Sequence, residues 1–100
     1  MAVYFVASYD IADPKAYEPY PGLVRPLLQK HGAEILVADF ASTPLEGSPG
    51  AVTVVVRFAT EAAARAFYDD PDYAPVLQLR LDTTTNGRAV MVKGFVPPAS

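Results

Sequence analysis

Ala51-Val52-Thr53-Val54-Val55-Val56-Arg57-Phe58-Ala59 is the strongest β signal in the chain, with five consecutive β-branched residues, Val52 to Val56, followed by Arg57 and an aromatic. Such side chains suit a pleated, buried surface, and the run predicts a central strand. Just after it, Thr60 is a good helix N-cap, and Glu61 in the first turn meets the positive end of the helix dipole. The helix that follows carries Ala63, Ala64, Phe67 and Tyr68 before Asp69-Asp70-Pro71 stops it. Asp70-Pro71 is then placed to start a further short helix bearing Tyr73, Val76, Leu77 and Arg80. Asn86-Gly87 is a turn signal, and Arg88 to Phe95 predicts the last strand.

On the N-terminal side, residues 41–50 form a loop rich in Pro and Gly, preceded by a strand from Glu34 to Phe40. The first strand, Val3 to Asp10, is apolar on both faces near its start, as a strand covered on both sides should be. Between these two strands, Asp13-Pro14 opens a helix whose apolar stripe runs through Tyr17, Tyr20, Leu23 and Leu27 to His31. Pro19, Pro21 and Pro26 each remove a backbone donor. They predict a short first turn, a kink near Pro19–Pro21 and a second segment ending at Gly32, the left-handed residue past the helix.

The order β-α-β-β-α-β predicts an α+β, ferredoxin-like unit: a four-stranded antiparallel sheet of order 4-1-3-2 with helices on one face. One domain over residues 1–96 accounts for the length, and 97–100 is expected to be a frayed tail. Strands one and three are apolar on both sides, so the helix-free face is greasy and a second copy of the chain is expected to cover it. The hydrophobic content of 51% points the same way.

Composition narrows the function classes. There is no cysteine, which excludes disulfides, thiolate chemistry and Cys-based metal sites. A net charge of −3, with basic residues scattered singly, argues against a nucleic-acid or anionic-membrane partner. A single histidine argues against a His-rich metal site. Gly47-Ser48-Pro49-Gly50 lacks the pattern of a phosphate loop. Asp69-Asp70-x-Asp72 lacks the glycine and distal glutamate of a calcium loop. No metal or other cofactor is expected. The N-terminal segment lacks a basic n-region, so the cytoplasm is the expected compartment.

The chemistry-bearing residues fall at element ends. Tyr20 and Tyr73 lie on apolar helical faces, and their buried hydroxyls need partners. Arg80 follows Val76-Leu77, and a buried guanidinium there calls for a carboxylate, with Glu46 or Asp10 as suppliers. As a site, Tyr20, Glu46, Tyr73 and Arg80 would be catalytic, with Arg80 holding an oxyanion and a carboxylate or tyrosine moving a proton. The plainer alternative is an Arg80–Glu46 pair pinning the 41–50 loop. Asp10, His31 and Tyr68 complete the candidate set as substrate-binding residues. For His31 the plainer reading is a helix terminus, where an imidazolium meets the last carbonyls.

A wider pattern runs through Asp13-Pro14-x-x-Tyr17-x-x-Tyr20, the helix ending at Gly32, Leu45-Glu46-Gly47, Val55-Val56-Arg57-Phe58, Ala64-Arg65-Ala66-Phe67-Tyr68-Asp69 and Pro71-x-Tyr73 with Arg80. In order and spacing it resembles the family of domain of unknown function 1330. The resemblance implies a ferredoxin-like subunit in a dimeric α/β barrel, an architecture that also hosts cofactor-free monooxygenases, small isomerases, cyclases and haem-degrading enzymes. The chain departs from that pattern where relatives often carry a second glycine after helix one and a basic residue late in strand two. Here these positions read Gly32-Ala33 and Val37-Ala38-Asp39. The functional expectation is a cofactor-free enzyme (isomerase, cyclase, lactone-type or monooxygenase chemistry) acting on a small organic metabolite. The alternatives are a non-catalytic small-molecule binder and a structural dimer module.

Overall fold

The computed structural model describes residues 1–98; the last two residues of the expected frayed tail, 99–100, lie outside the described residues. The elements are β1 (Val3–Ile11), α1 (Pro14–Tyr17), α2 (Tyr20–Lys30), β2 (Glu34–Asp39), β3 (Val52–Phe58), α3 (Glu61–Tyr68), α4 (Ala74–Thr83) and β4 (Thr84–Lys93). The strands form one antiparallel sheet in the order β2-β3-β1-β4, the expected ferredoxin-like order read from the other edge.

Local chemistry explains the element ends. The Asp13 carboxylate accepts the Ala16 N–H at 3.1 Å and starts α1. The prolines break the first helix into α1 and α2, with α2 starting directly at Tyr20 and Pro19 offering no side-chain cap. Gly32, at φ 69°, closes α2 in the left-handed region, and the Ala33 N–H returns to the Leu28 carbonyl at 2.9 Å. The Thr60 hydroxyl caps α3 by accepting the Ala63 N–H at 3.1 Å.

Two boundaries differ from the sequence expectation. The fourth helix begins at Ala74, because Asp70–Tyr73 forms a turn in which the Asp70 carboxylate accepts the Asp72 N–H at 2.9 Å. Asn86-Gly87 is not a reversal between helix and strand. The chain passes from α4 straight into β4 at Thr84, and Asn86 takes its positive φ of 54° within the strand. There the pairing of β1 with β4 slips between Ser8 and Asp10. The conformational freedom that predicts a turn is used instead for a strand irregularity.

Alternation sorts the sheet into two faces. Val3, Ala7 and Tyr9 of β1 and Val52, Val56 and Phe58 of β3 are buried beneath Tyr17, Tyr20, Leu28, Ala64, Phe67, Tyr73 and Val76 of the helices. The opposite face carries a row of valines in register across all four strands. Val37 pairs with Val55, Val55 with Val6, and Val6 with Val90. The row on one side of it reads Asp39, Thr53, Ser8 and Arg88.

The loop between β2 and β3 returns to the sheet at Gly50. This residue is buried, and its N–H donates to the Ser8 hydroxyl at 3.2 Å. A Cβ on Gly50 would press into the backbone carbonyl of Tyr9, inside the 3.0 Å that real Cβ atoms respect. Backbone cannot swing aside as a side chain does. Gly50→Ala is therefore expected to destabilise the chain by about 2–3 kcal/mol, the upper range for overpacking, as read from urea unfolding midpoints.

Candidate active site

Between helices and sheet lies an apolar cavity of about 130 Å³. Its floor is the helix-facing side of the sheet, including Phe5, Ala7, Val54 and Val56, and Leu28 and Phe67 help to wall it. Tyr9, Tyr17, Tyr20 and Tyr73 line it, together with Arg80 from α4. On the other side Arg25 of α2 and Ile35 and Phe40 beside it are solvent-exposed lining residues, so the cavity opens there. The lining contains no Asp, Glu, His or Lys.

The tyrosines are paired. The Tyr9 and Tyr17 hydroxyls lie 2.6 Å apart, and those of Tyr20 and Tyr73 lie 3.5 Å apart. Burial, followed by the contact with Tyr17, holds the Tyr9 phenol well above its ordinary range. Burial and then Tyr73 do the same to Tyr20, and burial also raises Tyr17. These three phenols stay protonated at any ordinary pH, so they serve as hydrogen-bond donors and not as bases.

Arg80 is only 4% exposed, yet no carboxylate of the described residues pairs with it. The ion pairs among the described residues join Lys30 or His31 to Asp70 and Asp72, and none includes Arg80. Its Nε is buried without a hydrogen-bond partner among the described residues. The guanidinium carbon stands 5.6 Å from the centre of the Tyr9 ring, a cation–π contact that offsets part of its desolvation. Burial opposes its charge, but the neighbouring Tyr20, Tyr73 and Tyr9 more than offset this, and the group remains a cation.

This geometry corrects the expected Arg80–carboxylate pair. Glu46 is exposed on the loop and absent from the cavity wall. The Asp10 carboxylate is occupied elsewhere, accepting the Ala51 N–H at 2.9 Å and the Asn86 amide at 3.3 Å. Glu46 stands on the loop and Asp10 near the sheet end, where the Ala51 N–H and the Asn86 side-chain amide satisfy the Asp10 carboxylate. Tyr68 also lies outside the cavity. It borders a shallow hollow with Arg65, Ala89 and Met91, its ring 6.2 Å from that of Phe5.

His31 is the C-terminal cap residue of α2, and its backbone N–H reaches the Leu27 and Leu28 carbonyls. Its ring does not serve the last carbonyls but lies 2.8 Å through Nε2 from Asp70, which also accepts from Lys30 at 2.8 Å. The hydrogen bonds from Lys30, His31 and the Asp72 backbone hold the Asp70 carboxyl well below the usual carboxylate range. A carboxyl with a depressed folded pKa contributes stability that is complete above its unfolded value of 3.8 and lost as pH falls through the folded value. Unfolding by urea is expected to show stability declining below about pH 4, with Asp70→Asn flattening that decline.

Of the expected site residues, the cavity brings together Tyr20, Tyr73 and Arg80 and leaves out Asp10, His31, Glu46 and Tyr68. It adds Tyr9, Tyr17 and Arg25. A signal for each was present: Tyr9 shares its strand face with Phe5 and Ala7, and Tyr17 stands three residues before Tyr20 on one stripe. Arg25 sits at helical spacing between Pro21 and Leu28. Ala38, in the stretch where the resemblance associates a basic residue, also lines the cavity, so that departure falls inside the site.

The fold is shared with solved structures of low sequence identity. A protein of unknown function from Rhodopseudomonas palustris superposes with a TM-score of 0.79 at 15% identity, covering 96% of this chain and 84% of that one. A cofactor-independent oxygenase from Streptomyces nogalater gives 0.70 at 10% identity over 96% and 95% of the two chains. A dimeric ferredoxin-like protein of unknown function from Bacteroides fragilis gives 0.64 at 10% identity over 93% and 96%. A search of curated proteins finds no sequence match to the chain. The profile of the family described as domain of unknown function (DUF1330) matches residues 2–95, and the protein belongs to that family.

Proposed function

We propose that the chain is a cofactor-free cytoplasmic enzyme that takes a small, largely apolar organic metabolite into the helix–sheet cavity and holds it as an enolate or phenolate on Arg80. The observation that carries this reading is the buried guanidinium with no carboxylate partner, at the wall of an apolar cavity. A dry cation surrounded by phenols and an aromatic face still lacks a counter-ion, and an oxyanion would supply that counter-charge. Each tyrosine pair keeps one O–H not spent on its partner, a further donor available to a bound anion. With no carboxylate, imidazole or amine in the lining, the ligand gives its proton to solvent water on entry and binds as the anion. The electron-rich carbon of that anion is the reactive centre for isomerisation or cyclisation, or for oxygenation with dioxygen as co-substrate and oxidant. The fold of the Streptomyces nogalater oxygenase supports the last of these.

The second copy belongs to this proposal. The valine row on the helix-free face is the surface through which the chain would self-associate, as the Bacteroides fragilis neighbour is described as dimeric. Among the described residues no helix is long and apolar enough to cross a membrane. The scattered cations offer no face to nucleic acid.

The experiment is a titration of ortho-nitrophenol, which is coloured as its phenolate. A neighbouring cation favours the charged form, so the bound phenol's pKa is expected to fall by about 1–3 units. Binding with an unchanged pKa, or no binding, would sink the proposal. The lack of any proton acceptor in the lining favours one alternative, a binder that releases its ligand unchanged. Product analysis after incubation with an enolisable ligand separates the two.

A further inference from the structure

The cavity has a cation at each end. Arg80 is buried at its closed end, and Arg25 on α2 is exposed at its open end. Neither takes part in an ion pair among the described residues, and the wall between them carries no acid. In a chain of net charge −3, a cavity with two cations and no anion is an electrostatic exception.

Size fixes what can sit between them. The cavity is about 130 Å³. An apolar cavity of about 150 Å³ holds one benzene. One six-membered ring therefore fills the enclosed part, and a substituent opposite the Arg80 oxygen emerges at the mouth. There it meets Arg25, flanked by Ile35 and Phe40, which are 44% and 50% exposed in the single chain. Ala38, also in the wall, takes up little of the cavity.

We infer that the occupant is a monocyclic phenol or enol bearing a carboxylate on the side of the ring away from its acidic oxygen, and that Arg25 is the residue that reads this carboxylate. The inference rests on the Arg80 reading given above and adds the substrate class. A guanidinium suits a carboxylate because its planar fork can donate two parallel hydrogen bonds. Arg25 takes no part in holding the oxyanion, so it is a specificity residue.

The probes are ortho-nitrophenol and its derivative with a carboxylate para to the hydroxyl, each titrated against the whole chain and followed by phenolate absorbance. The carboxylate is expected to tighten binding by about tenfold, the scale of a charge-assisted contact. In Arg25→Gln the affinity ratio between the two probes is expected to fall close to one. Because Arg25 is solvent-exposed, raising the salt concentration should also shrink the ratio in the native chain. A ratio near one in the native chain, or one that survives Arg25→Gln, overturns this inference while phenolate binding leaves the Arg80 reading standing. Failure of both probes to bind overturns the two together.

Discussion

Arg80→Met is expected to cost the cavity its affinity for phenolate by roughly 100-fold or more while leaving the folded chain as stable as before, or more stable. The two effects separate because of what surrounds the side chain. A structural arginine would be tied to carboxylates, and its removal would strand them. Here no carboxylate is tied to Arg80, and its Nε is already orphaned. Methionine fills a similar volume without a charge to desolvate, and swaps of this kind are often neutral or stabilising by about 1–4 kcal/mol. The Tyr9 ring loses its cation–π neighbour, worth about 1–2 kcal/mol at a dry site, which subtracts from that gain and leaves the net change small. Ligand titration paired with urea unfolding checks both halves. A loss of several kcal/mol in stability, with phenolate binding intact, would show that Arg80 serves the fold.

Val6→Asp is expected to convert a dimer into a folded monomer. Val6 sits in β1 with Val55 on one side and Val90 on the other, in the middle of the valine row. In the single chain this row is partly open, with Val90 53% and Val37 40% exposed. An aspartate on this face of the monomer can reach water and costs the fold little. Between two apposed apolar sheets its carboxylate would be desolvated without a partner, which costs several kcal/mol. Light scattering at micromolar concentration is expected to give twice the chain mass for the native protein and a single mass for the variant, with circular dichroism unchanged. A native chain that runs as a monomer would remove the second copy from the picture.

The strands and the helix caps were legible because their causes are local. The Val52–Phe58 run, the Asp13 and Thr60 caps and the Gly32 stop each depend on neighbours within a few residues. Asn86-Gly87 shows the limit: the dipeptide announces a positive φ, but only the pairing partner across the sheet decides whether it reverses the chain or bulges it. The site was legible in its apolar faces, which put Tyr20, Tyr73 and Arg80 inward. The counter-charge was not, since the rule that a buried arginine finds a carboxylate points to Glu46 or Asp10. Nothing in sequence spacing says that a loop keeps Glu46 in solvent, or that the Ala51 N–H and the Asn86 amide occupy Asp10. Burial could be read, and partnership across long separations could not.

The edge strand β2 has a consequence for how copies meet. All its residues are exposed, so its outer rim offers free backbone groups to any passing strand, the geometry from which ribbons and fibrils grow. Its ends are Glu34 and Asp39, and its pairing with β3 slips between Ile35 and Val37. The slip breaks the regular spacing of the rim, and the terminal carboxylates repel an identical strand laid alongside. Rim-to-rim polymerisation is thereby discouraged, while the flat valine face stays open to a partner. The chain discourages the contact that propagates without end and leaves the valine face free for the self-association proposed above.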